Sequence, residues 1–337
     1  MGPGLKSLEL VSVGNPGNVA DTQTMSDGTT GYGAVAYRYR IGKCEVTAAQ
    51  YCEFLNAVAA TDTFGLYRPH MWMTSSGCQI RRSGSSESYT YSVDPNWANR
   101  PANLMTWGNA ARFCNWLTNG QPTGEQDSTT TENGSYALNG RDDYTLLMTI
   151  ARNANARYVI PTEDEWYKAA YYDPSWDGYY DYPTGTDMPP SNDLLDPDPG
   201  NNANFYQSGP TLQYPYYASE VGAFGNSAAP YNTFDQGGNV REWTEGFKSY
   251  GRCIRGGCFY DTEVQLRSMT RGFDGPANCS ESTGFRIVEV PEPSSIGLVS
   301  IGAVLVAWRR SDRANRGATC WRRKHKQETV TCFSAAG

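Results

Sequence analysis

Residues Asp235 to Trp243 read Asp-Gln-Gly-Gly-Asn-Val-Arg-Glu-Trp. Two carboxylates, Asp235 and Glu242, flank a glycine pair that lets the backbone turn tightly or take positive φ. A turn that offers carbonyls between acidic side chains suits a hard cation such as calcium, which takes roughly six to eight oxygens. The same residues also read as a glycine turn with an acidic cap and Trp243 as an apolar anchor, which needs no ligand. The other groups with chemical potential are nine cysteines: Cys44, Cys52, Cys78, Cys114, Cys253, Cys258, Cys279, Cys320 and Cys332. None stands in a Cys-x-x-Cys zinc spacing, and disulfide connectivity cannot be deduced from spacing alone. The only histidines are His70 and His325.

Several elements must position these groups. Leu8–Val13 alternates weakly and runs into the turn cluster Gly14-Asn15-Pro16-Gly17. Val35–Ile41 alternates as a half-buried strand does. Thr47 with Gln50 forms a capping box ahead of a helix whose apolar stripe is Tyr51, Phe54, Leu55 and Val58, with Cys52 off that stripe. Residues 60–100 read as strands and loops. A second helix is expected from about Thr106 to Thr118, with Trp107, Ala110, Ala111, Cys114 and Leu117 on one face and Cys114 as a small core residue. Residues 119–157 are polar and read as a long surface excursion. Tyr158–Ile160 is a short buried strand ended by Pro161. Thr162 and Glu165 form another capping box, with Trp166, Ala169 and Ala170 facing inward. The acidic trio Glu163, Asp164 and Glu165 lies in that helix's first turn, where the dipole favours negative charge, and is read as structural. Residues 172–233 are irregular.

Four segments occur in order: Pro161-Thr162-Glu163-Asp164-Glu165-Trp166, Gly238-Asn239-Val240-Arg241-Glu242-Trp243, Arg255-Gly256-Gly257 and Gly284-Phe285-Arg286. With Gly42-Lys43-Cys44-Glu45-Val46-Thr47 ahead of them, they resemble the sulfatase-modifying-factor superfamily, whose best-known member is the formylglycine-generating enzyme. The resemblance covers about residues 8–289. It implies an α+β fold related to the C-type lectin type, loop-rich, with short antiparallel sheets and few helices. It also implies a calcium held by Asp235, the carbonyls of Gly238 and Val240, and Glu242. A second calcium would involve Asn204 and Phe205, but residues 211–217 contain no carboxylate where the family offers an aspartate.

The family enzyme oxidises a sulfatase cysteine to formylglycine with O₂, using two cysteines that hold Cu(I), which suits soft thiolates. Counted from Gly256-Gly257, those two positions are Asp261 and Leu266. Neither residue can supply a thiolate, so the resemblance implies a scaffold without its copper. Cys253 and Cys258 share the family's spacing but are displaced along the chain. They are a weak alternative pair, read first as buried or disulfide-bonded. Two histidines exclude a self-contained three-histidine iron centre of the ergothioneine-pathway branch. Arg255, Arg267, Arg271 and Arg286 are expected to pair with carboxylates of the fold.

Val290-Pro291-Glu292-Pro293 precedes a mostly apolar run, Ile296–Trp308, and then Arg309-Arg310. This resembles a PEP-CTERM sorting signal. It implies transient inner-membrane association and recognition by an exosortase-type sorting protease. The apolar run is short for a stable span, and the flanking arginines would snorkel. Residues 290–310 are read as this sorting segment and 311–337 as a disordered basic tail. Residues 1–7 lack the pattern of a signal peptide. Export is nevertheless expected, with a leader missing from this sequence.

The 337 residues suffice for one large domain or two ordinary ones. The net charge is −7, but the stretch from Arg309 onward carries eight Lys/Arg against two Asp/Glu, leaving −13 on the rest. An acidic body argues against nucleic acid. The expectation is an exported, calcium-braced, non-catalytic binding or cell-surface module. Its ligand would be an extracellular polysaccharide or protein. The alternative is a copper-dependent oxidase with rearranged ligands, and a third reading is a purely structural envelope component.

Overall fold

The computed structural model describes residues 8–291. The sorting segment beyond Pro291, the basic tail, Cys320, Cys332 and the first seven residues lie outside them. In chain order the strands are β1 (Leu10–Val13), β2 (Tyr39–Gly42), β3 (Ile80–Ser83), β4 (Thr90–Val93), β5 (Tyr158–Val159), β6 (Tyr172–Asp173), β7 (Gly178–Tyr179), β8 (Arg241–Lys248), β9 (Gly251–Arg255), β10 (Gly272–Asp274), β11 (Thr283–Gly284) and β12 (Val288–Glu289). The helices are α1 (Ala48–Val58), α2 (His70–Met73), α3 (Trp107–Thr118), α4 (Tyr144–Met148) and α5 (Glu163–Tyr171). One sheet runs β1-β2-β12-β5 and another β10-β9-β8-β11, with β3-β4 and β6-β7 as separate ribbons. All pairs are antiparallel except β8 with β11. Among the described residues no helix is long and apolar enough to cross a membrane.

Both capping boxes form. Gln50 N–H donates to Thr47 Oγ1 at 3.3 Å and Thr47 N–H to Gln50 Oε1 at 2.9 Å. Glu165 N–H donates to Thr162 Oγ1 at 3.1 Å and Thr162 N–H to Glu165 Oε2 at 2.6 Å. These local bonds satisfy amide groups that a helix N-terminus leaves open. Thr162→Ala should therefore cost about 1 kcal/mol, which a thermal melt would read as a fall of roughly 2–4 °C.

Three tryptophans lock α3 and α5 onto β8. Trp107 Nε1 donates to Thr244 O at 3.1 Å, and Trp243 Nε1 to Met105 O at 3.2 Å. Trp166 Nε1 donates to Glu242 Oε2 at 2.7 Å. All three rings are fully buried, and each indole N–H has the partner that burial demands.

The structure corrects several expectations. The strand expected from Val35 is only Tyr39–Gly42, because the residues before it turn instead of pairing. Residues 60–100 include a single helical turn, α2. Cys52, off the apolar stripe of α1, is buried as well. Residues 119–157 are not a surface excursion: Gln126, Thr130, Thr131, Glu132, Tyr136 and Leu138 are buried. Polar groups on α3 hold them there. Arg112 Nε meets Glu132 Oε1 at 2.6 Å, and Asn115 Nδ2 donates to the carbonyls of Thr131 and Tyr136 at 2.7 and 2.9 Å. Buried polar groups paired in this way carry no sequence signature of burial.

Candidate functional site

The Asp235–Trp243 turn enters β8 through left-handed backbone, with φ of 58° at Asp235, 84° at Gly238 and 55° at Asn239. Gly238 is required by contact as well as by φ. A Cβ there would lie 2.2 Å from the Asn204 carbonyl oxygen. That approach brings the two segments expected to bind calcium together: Asn239 N–H donates to Asn204 O at 2.7 Å.

The groups expected as ligands differ in what they have free. Glu242 is fully buried and already engaged. Arg286 Nε and Nη2 donate to its two oxygens at 2.6 Å each, and Trp166 adds the bond described above. Burial alone would lower the Arg286 pKa, but the Glu242 carboxylate overrides it and holds it above the ordinary value. Asp235 Oδ2 accepts from Gly222 N–H at 2.6 Å. Burial pushes the Asp235 carboxyl up to about 6, against the opposing effects of that amide and of Arg286. At the second expected site, the Asn204 side-chain oxygen is buried with no hydrogen-bond partner among the described residues. The Phe205 carbonyl, by contrast, accepts from Asn192 Nδ2 and Thr211 Oγ1, both at 3.1 Å. Among the described residues no group of three or more His, Cys, Asp and Glu is arranged to hold a metal.

Sequence reasoning missed Glu45. It is 2% exposed, and neither of its oxygens has a hydrogen-bond partner on another of the described residues. Burial, and then the neighbouring Asp235 charge, holds its carboxyl well above the usual range. A cavity of about 370 Å³ reaches it, lined also by Cys44, Glu220, Gly222 and Phe234. Its segment, Gly42–Thr47, helps carry the family resemblance, but nothing in that segment set the side chain apart from ordinary helix-start chemistry.

A second concavity, about 420 Å³, lies against the Arg255-Gly256-Gly257 turn and is lined by Arg241, Asp261, Gln265, Thr270, Phe273 and Asp274, among others. Asp261, at the family's first copper position, forms a two-point pair with Arg241 at 2.6 and 2.8 Å. Leu266, at the second, is fully buried with Tyr182, Ala203 and Phe205. Cys253 lies on β9 and Cys258 beyond the two glycines; both are fully buried free thiols. Burial raises them to about 12 and 11, so the thiolate that copper needs is disfavoured. Arg255 pairs with Glu163 and Arg271 with both Glu163 and Asp27, while Arg267 pairs with Asp181. Glu165 pairs with Arg152, and Asp164 accepts from Gly33 N–H. The acidic trio is structural, through these partners more than through the helix dipole.

A loop-rich α+β body with few helices, short sheets and this Gly-Gly-Asn turn defines a scaffold of the formylglycine-generating-enzyme type. Residues 13–290 match the sulfatase-modifying factor enzyme 1-like domain, and the chain belongs to that family. Residues 289–311 match the PEP-CTERM protein-sorting motif. That motif implies recognition by exosortase-type processing machinery and suggests export and envelope association. Among solved structures, CarF aligns with a TM-score of 0.52 at 19% identity, over 85% of this chain and 99% of its own. Variable protein 1 of Treponema denticola aligns with a TM-score of 0.50 at 18% identity, over 84% and 95%. At these identities the likeness is one of fold. No curated protein matches the chain in sequence.

Proposed function

We propose that this chain is an exported, non-catalytic binding module of the cell surface, built on the formylglycine-generating scaffold and braced by calcium. The observation that carries the reading is the content of the two copper positions. Asp261 is committed to Arg241, and Leu266 is part of the core. Both positions serve the fold, and neither offers a thiolate. Cys253 and Cys258 supply no obvious substitute, since burial disfavours the thiolate at both.

The calcium part is supported by buried oxygens that have no donor from other described residues, at Glu45 and Asn204. Such groups are costly unless a cation or a proton satisfies them. Bound calcium would supply positive charge that ties the 235–242 turn to the segments packed on it. The ligand would sit in the concavity beside the Arg241–Asp261 pair, where polar side chains and Phe273 meet. Its class is an extracellular polysaccharide or a partner protein. The sorting motif would deliver the module through an exosortase-type protease, with transient membrane association.

The test is metal analysis of the purified full chain together with an oxidation assay. The expected result is near-stoichiometric calcium, no copper and a melt lowered by chelator. A Cys-x-Pro-x-Arg peptide should remain unoxidised with Cu(I) and O₂. Copper at one per chain that disappears in Cys253→Ser or Cys258→Ser, with turnover of the peptide, would establish the oxidase instead.

A further inference from the structure

We infer that the concavity beside the Arg241–Asp261 pair takes an uncharged polysaccharide, and that Tyr260 and Tyr206 form an aromatic ledge that carries its next sugar units. The inference rests on the binding-module reading and narrows the class of ligand. The ledge adjoins the concavity through Asp261, which is part of its wall. Asp261 N–H donates to Cys258 O at 2.9 Å, closing a turn that holds Tyr260 beside it, and Asp261 O accepts from Tyr206 N–H at 2.7 Å. Both rings lie open to solvent, Tyr260 at 52% and Tyr206 at 43% exposure.

The ledge is firmly seated. The Tyr260 ring lies 4.3 Å from that of buried Phe259 and 5.8 Å from that of Tyr217. Tyr217 is itself stacked on Phe259 at 6.0 Å, and its carbonyl accepts from Asn204 Nδ2 at 3.0 Å. A ring held in this way loses little freedom when a ligand covers it. Packing accounts for Phe259 and Tyr217 but not for the open half of Tyr260.

Shape and charge favour a sugar over a polypeptide. Protein interfaces draw their affinity from large anchors seated in desolvated pockets. Here the hollow is polar, with Gln265, Thr270 and Asp274 near the ion pair, and the rings stand outside its wall. A sugar ring offers C–H groups to an aromatic face and hydroxyls to polar side chains around its edge, which suits that division. At about 420 Å³ the hollow falls in the range of small-ligand sites, roughly 300–1,000 Å³. The ledge extends the contact to a chain of sugars. The arginines of the hollow are already matched: Arg241 by Asp261, Arg255 by Glu163, and Arg271 by Glu163 and Asp27. Asp274 adds negative charge acting on Arg241, and Glu281 adds it at Tyr260. A carboxylated or sulfated glycan would be repelled there.

The experiment is calorimetric titration of the full chain with β-1,4-linked hexasaccharides of glucose, mannose and N-acetylglucosamine. A galacturonate hexamer serves as the charged counterpart, and a reduced, alkylated polypeptide as the protein-like one. Saturable uptake of at least one uncharged hexasaccharide is expected, changing by less than about twofold between low and high salt because no charge pairing is screened. Tyr260→Ala should weaken it on the order of 10-fold, the upper end of a ring contact, while Tyr260→Phe, which keeps the ring, should stay within about threefold. Trp176→Ala, which removes a ring of equal exposure on the β6–β7 ribbon, should change nothing. Melts matching the wild type would show that the variants fold. Unchanged affinity in Tyr260→Ala, or uptake of the polypeptide or galacturonate in place of the uncharged sugars, would overturn this inference and leave the binding module standing. Uptake of none of these probes would overturn both. The peptide-oxidation assay tests the non-catalytic reading separately.

Discussion

Arg286→Leu is expected to lose about 3–5 kcal/mol of stability, the scale of breaking a buried ion pair by removing one partner. Arg286 sits on the Gly-Phe-Arg segment with no solvent exposure and holds both Glu242 oxygens at 2.6 Å. Its removal strands Glu242 in a region that already holds Asp235 and Glu45, and leaves the Phe234 carbonyl without this donor. In a body of this size each kcal/mol moves the midpoint by roughly 2–4 °C, so the melt in chelator should fall on the order of 10 °C. The double variant Arg286→Leu/Glu242→Gln should recover part of the loss, because the stranded charge leaves with its partner. A single-variant loss near the ~0.5 kcal/mol typical of surface changes would show that Glu242 does not depend on Arg286.

The second large effect is on pH. The Asp235 carboxyl stands at about 6 in the folded chain against an ordinary value of 3.8. The folded state therefore holds this proton more tightly than the unfolded chain does. Its contribution to stability is fully present below pH 4 and is lost as pH rises through 6. At 1.36 kcal/mol per unit the loss is about 3 kcal/mol, and Glu45, raised as well, acts in the same direction. Glu163 and Glu165, lowered against their burial cost by Arg255 and Arg152 respectively, act oppositely, since their contribution is lost as pH falls. Asp235→Asn isolates the first effect. In chelator, the stability of the wild type relative to this variant should fall by about 2 kcal/mol between pH 4 and pH 7. With calcium present the trend should reverse, because the ion binds deprotonated carboxylates and its stabilisation grows as pH rises. A wild type that tracks the variant at every pH in chelator would remove Asp235 from this account.

Local signals in the sequence were reliable where the physics is local. Thr47 with Gln50 and Thr162 with Glu165 announce helix starts, and both boxes form because a side chain needs to reach only three residues. The glycine turn is equally local, and the ordered motifs place the family because each fixes a contact of the scaffold. The lack of cysteine at the family's two copper positions was legible too, since Asp261 and Leu266 are read directly by counting.

What only the tertiary structure decided is where polar side chains end up. Burial of Glu132 and Thr131 follows from Arg112 and Asn115 on α3, and a sequence of polar residues gives no hint of a buried partner. Glu242 reads as a carboxylate beside a glycine turn, and only the packed chain brings Arg286 from a distant segment onto both of its oxygens. Glu45 is one letter of the Gly42–Thr47 segment until the chain buries it near the Asp235 charge, with no donor from another of the described residues. Capping and turns depend on backbone a few residues away, so sequence determines them. Charge pairing in the interior depends on which of several carboxylates lies nearest a single guanidinium, and that is settled only when distant segments pack.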